Sequence, residues 1–162
     1  MKRLRKFYYP IPVLLLAFAL LGHGQASRHP PAPEAAFVTR AVDGDTVVLT
    51  GGERVRYIGV DTPELHHPHK PVQAYAREAM EFNRRLVENK QVRLEYDVDR
   101  RDKYGRLLAY VYLPEGTFVN AELVCQGYAH TLTIPPNVKF AKLFLQCQKE
   151  ARENRRGLWG LK

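Results

Sequence analysis

The 162-residue chain is short of the residues that several specialised architectures require. Only two cysteines are present, Cys125 and Cys147, which excludes a disulfide-dense scaffold and a CxxC metal knuckle. There is no internal repeat and no sustained heptad pattern, so solenoids and long coiled coils are excluded as well. The apolar run from Ile11 to Leu21 covers 11 residues, whereas a spanning helix needs about 18 or more. What is left has room for one domain with a real core.

The N-terminus differs from the rest. "MKRLRK" is a basic opening, "IPVLLLAFALL" a short apolar stretch, and "GQA" ending at Ala26 a cleavage-type sequence. Residues 1–26 are therefore expected to be an export signal that directs a secreted or periplasmic protein. An uncleaved N-terminal membrane anchor is the alternative. Loss of Lys2, Arg3, Arg5 and Lys6 with the signal takes the formal charge from +8 to +4. Such a mild excess permits a polyanionic partner without demanding one. In an exported chain Cys125 and Cys147 invite a disulfide, worth roughly 3 kcal/mol for a loop of this size, with two buried thiols as the alternative.

Residues 27–35, within "SRHPPAPEAA", read as a Pro/Ala-rich linker, and a folded domain is expected over 36–160. Strands are expected at Ala36–Val42, Thr46–Thr50 and Arg54–Val60. Val72, Tyr75, Ala79, Phe82 and Leu86 recur at helical spacing between Val72 and Asn89. "KQVRLEYDVD" and "RLLAYVYL" supply two more strands, separated by "RRDKYG", a charged turn ending in Gly105. A short helix is expected from Val119 or Asn120 to a stop at Gly127. A last one should run from about Val138 to Asn154, with Phe140, Phe144, Cys147 and Ala151 on one stripe. Gly157 should end it, and Trp159 should fold back on the core. Five strands and three helices in this order make an α+β domain: a small antiparallel barrel with an OB-like core and helices packed on it.

Two short segments concentrate carboxylates: "DGDT", with Asp43 and Asp45, and "DTPE", with Asp61 and Glu64. An Asp-Gly pair is a strong hairpin-turn signal by itself. A turn does not need the second aspartate, and hard divalent cations are held by oxygen ligands of this kind. Full EF-hand spacing is missing. Arg56 sits inside an apolar strand and wants a carboxylate or phosphate partner; a structural salt bridge would satisfy it equally. Arg106 opens another apolar strand. Arginines, carboxylates and a cation together suit phosphoryl chemistry, in which positive groups neutralise charge on the phosphate oxygens while a carboxylate handles a water.

In this order, "VDGDTV", "RYIGVDTPE", "DKYGR" and a closing "GLW" resemble the staphylococcal nuclease (thermonuclease-like) family, over about Ala36 to Gly160. The resemblance implies a five-stranded OB-fold barrel with about three helices. It also implies Ca²⁺-dependent hydrolysis of DNA and RNA to 3′-phosphate ends. By motif, Asp45 and Asp61 correspond to the Ca²⁺ carboxylates, Thr62 to a backbone-carbonyl ligand, and Asp43 to an acid just outside the ligand set. Glu64 corresponds to the residue that activates or orients water, and Arg56 and Arg106 to the pair that grips the scissile phosphate. Lys103 and Tyr104 correspond to contacts with a nucleotide's terminal phosphate. No protein partner is implied, and a monomer is expected.

One stretch departs from that pattern. Tyrosines that flank the bound base or sugar in the family are absent from "AHTLTIPPN", where Thr131 and Thr133 stand instead. Tyr128 and the loop carrying His66, His67 and His69 are candidates to compensate. The histidines match no closed zinc site and read as a polar loop beside the substrate groove. A non-catalytic OB module that binds single-stranded nucleic acid is the competing function. Such a module has no need of Glu64, Arg56 and Arg106 beside two metal carboxylates.

Overall fold

The computed structural model describes residues 34–65 and 71–161. The expected export signal, the expected linker up to residue 33, and His66, His67 and His69 lie outside the described residues. β1 (Glu34–Asp43) carries register shifts at Val38/Arg40 and Ala41/Asp43. Bulges bend and twist a strand, and β1 pairs with β2 (Thr46–Leu49) along one part and with β5 (Lys90–Glu95) along another. With β3 (Arg54–Tyr57) and β6 (Leu107–Tyr112) it closes a five-stranded barrel in the order β1-β2-β3-β6-β5.

The architecture is the expected α+β OB-type barrel with three helices: α1 (Ala76–Val87), α2 (Val119–Cys125) and α3 (Ala141–Glu153). Several details differ from the sequence reading. Glu34 and Ala35, expected as linker, are strand residues paired with Leu94 and Arg93. The expected strand Arg54–Val60 is broken by a turn at Ile58-Gly59; Val60 and Asp61 form a separate strand, β4, which pairs with β7 (His130–Thr131) outside the barrel. The barrel is not wholly antiparallel, because β3 runs parallel to β6. Helix α1 begins at Ala76 because Tyr75 takes a left-handed backbone (φ 69°) and cannot continue it backwards. Val72 is consequently an exposed loop residue. Helix α3 starts at Ala141, with Phe140 at its N-cap.

Alternation explains the main core: Val38, Val47, Val55, Tyr57, Val92, Leu94, Ala109 and Val111 face inward, and α2 covers the barrel with Val119, Leu123 and Val124. β6 is buried on both faces, since Tyr110 packs the other way with Ile58 and Phe144 of α3. Cys125 and Cys147 are joined as a disulfide that ties α2 to α3. Two buried amides stitch the layers. Asn120 of α2 donates to the Ile58 carbonyl (2.9 Å) and accepts from the Val111 N–H (2.9 Å). Asn83 of α1 accepts from the Tyr57 hydroxyl and donates to the Asp43 carbonyl, each at 2.9 Å.

Gly59, which turns the chain from β3 to β4, has φ +82°, and a Cβ there would stand 2.3 Å from the Phe144 ring. Gly59→Ala is therefore expected to destabilise the fold by about 1–3 kcal/mol from overpacking, with a left-handed backbone penalty added. Chemical denaturation of the variant measures this, and a midpoint equal to that of the parent would refute it.

Candidate active site

The "DGDT" turn places its two aspartates differently. Asp43 ends β1 and pairs with Thr46, so Gly44 and Asp45 form the hairpin tip. Gly44 is not in the left-handed region; it is glycine because a Cβ would stand 2.7 Å from the Thr62 side chain. This close approach lets Thr62 hold Asp45 by its backbone N–H (2.9 Å) and its hydroxyl (3.0 Å), both donating to Oδ2. Asp45 and Thr62 are buried, whereas Asp43 is only partly so and its Oδ1 accepts the Gly44 N–H.

Arg56 connects this turn to β4. One guanidinium nitrogen lies 2.8 Å from Asp45 Oδ2, and the other 2.9 Å from Asp61 Oδ1. The first also donates to the Val60 carbonyl at 2.9 Å. The break between β3 and β4 is what allows this, since an unbroken strand would carry Asp61 away from Arg56. Two carboxylates thus converge on a single guanidinium. Glu64 lies three residues beyond Asp61 with an exposed side chain. Its backbone is fixed by Gln73, whose Oε1 accepts the Glu64 N–H (2.9 Å) and whose N–H donates to the Glu64 carbonyl (3.1 Å).

The opposite wall comes from the turn before β6. Asp102 accepts the backbone N–H groups of Tyr104 (2.9 Å) and Arg106 (3.0 Å) at Oδ1, and Arg106 Nε at Oδ2 (2.6 Å). Burial pushes the Asp102 carboxyl up, but the Arg106 side chain and the two backbone donors outweigh it and hold the group below its ordinary value. The brace is thus complete above the ordinary carboxylate range and is lost as pH falls through the lowered value. Gly105, at φ +82°, completes the turn. Parallel pairing sets Arg56 opposite Leu108, two residues from Arg106.

Arg56, Arg106, Lys103 and Tyr104 consequently line one cavity of about 440 Å³. Its other side is apolar, formed by Leu132, Ile134, Pro135 and Pro136 from the stretch that lacks the expected tyrosines. Tyr104 is 72% exposed at the rim, with Lys103 Nζ 5.0 Å and the Arg106 guanidinium 5.6 Å from its ring. The structure therefore gathers the four cationic and aromatic candidates in one pocket. It joins Asp45 and Asp61 to that pocket through Arg56, and leaves Glu64 at the surface beyond Asp61.

Residues 54–160 match the family model described as staphylococcal nuclease homologue. The chain belongs to the staphylococcal nuclease family. The thermonuclease of Staphylococcus intermedius is 45% identical over 129 residues, covering 78% of this chain and 76% of the relative. That of Staphylococcus hyicus is 42% identical over 125 residues, covering 75% and 73%. Endonuclease YncB of Bacillus subtilis (strain 168) is also 42% identical over 125 residues, covering 74% of this chain and 59% of the relative. Membership places this member of the family among the nuclease-type hydrolases.

Sequence reasoning missed four residues that support or line this site. Asn83 lies on the buried stripe of α1 with Ala76, Ala79 and Val87, and an amide amid small apolar residues was the available signal. Asp102 was visible only as part of a charged turn, although an aspartate three residues before a glycine is a turn-organising pattern. Leu132 and Ile134 gave no signal, because a partly exposed aliphatic residue is common on any surface.

Proposed function

We propose that this nuclease cleaves DNA and RNA with Ca²⁺ as its ion, leaves 3′-phosphate ends, and acts as a monomer after export by residues 1–26. The observation that carries the reading is the double grip of Arg56 on Asp45 and Asp61 at the edge of a cavity shared with Arg106. That grip also tests whether the ion fits. Asp45 and Asp61 are close enough to share one positive charge, and an all-oxygen donor set suits a hard cation. Among the described residues no three His, Cys, Asp or Glu side chains gather into a metal-holding group, so the donors on offer are two carboxylates and a backbone carbonyl. Asp45, Asp61 and the Thr62 carbonyl would hold the ion, with Asp43 stiffening the turn from behind.

In this reading the phosphate enters the cavity and takes hydrogen bonds from the Arg56 and Arg106 guanidiniums. Asp102, by fixing Arg106 Nε, leaves the remaining N–H groups of that fork for the phosphate. When bound, the ion supplies positive charge opposite the phosphate oxygens. Glu64 accepts a hydrogen bond from a water and orients it or takes its proton as the water oxygen bonds to phosphorus. The bond from phosphorus to the 5′-oxygen breaks, the 5′-oxygen ends protonated, and the phosphate stays on the 3′ side. Arg106 offsets charge on the departing oxygen. Lys103 and Tyr104 contact the next phosphate along the strand.

Purified protein should degrade denatured DNA and RNA with Ca²⁺ and lose activity to a chelator, with end-group analysis giving 3′-phosphates. Full activity in chelator would reject the ion assignment. Binding without cleavage would return the chain to the competing reading as a nucleic-acid-binding module.

A further inference from the structure

The proposed ion ligands depend on one of the shortest elements of the fold. β4 is two residues long, and so is its partner β7. A two-stranded sheet is marginal in water even at greater length. This one carries Asp61, and its Val60 carbonyl accepts a hydrogen bond from Arg56. Thr62, the residue after β4, holds Asp45 by its N–H and its hydroxyl. The placement of β4 therefore sets the positions of Asp45, Asp61 and the Thr62 carbonyl together.

A side chain of α3 steadies this small sheet from its outer edge. Pairing sets Val60 against Thr131 and Asp61 against His130. In an antiparallel pair the N–H groups of a strand point to the partner only at alternate residues. The Leu132 N–H reaches across to the Gly59 carbonyl at 3.0 Å, so that of Thr131 faces away from β4. There Gln148 Oε1 accepts it at 2.9 Å, with the Thr131 hydroxyl at 3.4 Å. Gln148 shares the inward stripe of α3 with Phe144, Cys147 and Ala151, all buried. A polar residue on such a stripe calls for a specific partner. The helix beneath it is anchored twice: the neighbouring Cys147 is bonded to Cys125 of α2, and the Phe144 ring lies against Gly59.

We propose that Gln148 is a positioning residue for the ion site, holding β7 at Thr131 and, through β7, the β4 strand that carries Asp61. This inference rests on the nuclease reading and on its ion assignment. Gln148 touches neither ion nor substrate; it acts through two backbones. Ligands already held in place need little ordering when an ion arrives, so less of the binding free energy is spent on arranging them. Without the amide, β4 is left with the Leu132–Gly59 bond, its own pairing and the Arg56 grip, and Asp61 and Thr62 are ordered only as the ion binds.

The test uses the full chain, Ca²⁺ alone as the probe, and two variants of similar length. Gln148→Met removes the acceptor, and Gln148→Glu keeps an accepting oxygen. By titration calorimetry well below the melting transition, Gln148→Met is expected to weaken Ca²⁺ binding about 10-fold, the lower end of what loss of a ligand's supporting partner costs. Gln148→Glu should bind as the parent does. In the ion-free protein, amide exchange at Leu132 and Thr62 should run about 2- to 10-fold faster in Gln148→Met, the equivalent of one hydrogen bond. Exchange at Val92 and Val111 in the barrel should not change. Parent-like Ca²⁺ binding by Gln148→Met, or binding by Gln148→Glu as weak as that of Gln148→Met, overturns the inference and leaves the nuclease reading intact. Equal loosening of Val92 and Val111 also overturns it, since Gln148 would then support the whole fold. A parent that cleaves nucleic acid but binds no Ca²⁺ overturns the inference together with the ion assignment.

Discussion

Arg56→Ala is expected to lose two properties at once, cleavage and thermal stability, with only the second restored by Ca²⁺. The side chain of Asp45 is 8% exposed and that of Arg56 13%, so their 2.8 Å pair is essentially buried. Removing one partner of a buried pair leaves an uncompensated charge and costs about 3–5 kcal/mol. The bond to Asp61 adds little, because that side chain is 48% exposed and well screened. Loss of a guanidinium from the proposed phosphate pocket should lower the rate by about 10²- to 10³-fold, the usual cost of deleting one charge-stabilising donor. Bound Ca²⁺ would give the stranded carboxylates a new counter-charge, so it should raise the melting temperature of the variant more than that of the parent. Arg56→Lys should recover part of the stability but little of the rate, since an ammonium lacks the rigid planar fork that can meet the carboxylates and a phosphate at once. Calorimetry in Ca²⁺ and in chelator, beside a rate measurement, decides this. Parent-like stability in Arg56→Ala would show that Asp45 does not depend on the pair.

Glu64→Gln should separate the same two properties in the opposite way. Glu64 is exposed, and both of its hydrogen bonds to Gln73 use its backbone. An isosteric amide therefore leaves the fold within about 0.5 kcal/mol of the parent, as is usual for surface changes. In the proposed mechanism it removes the carboxylate that receives or orients the water, and a positioned acid–base group typically contributes about 10²- to 10⁴-fold. Single-turnover kinetics should show that fall in rate with an unchanged melting curve. A rate within threefold of the parent would move the water-handling role to another residue.

The barrel strands were legible from alternation, because a half-buried strand must place apolar residues at every second position. Val47 and Leu49, and Val55 and Tyr57, follow that rule. The break at Gly59 was not legible. Apolar residues continue through Ile58 and Val60, and a glycine within such a run reads as a weak strand position until Phe144 is seen against it. Parallel pairing of β3 with β6 was hidden for a similar reason: pairing direction leaves no mark on side-chain alternation. The carboxylates and arginines of the site were legible as residue types in tight local motifs. Their mutual geometry was not, since the Arg56 bridge depends on that same break. Asn83 stayed hidden because its partners, Tyr57 and the Asp43 carbonyl, are distant in sequence.

The parallel register of β3 with β6 has a consequence for the maker of this protein. Arg56 and Arg106 lie fifty positions apart in the chain and share a cavity only after β6 has docked beside β3. A nascent chain that has left the ribosome as far as α1 already carries Asp45, Asp61 and Glu64, but only one of the two guanidiniums. Long-range pairing of this kind forms late in folding. A half-synthesised copy therefore lacks the paired guanidiniums of the cavity, which come together only when the last strand closes the barrel.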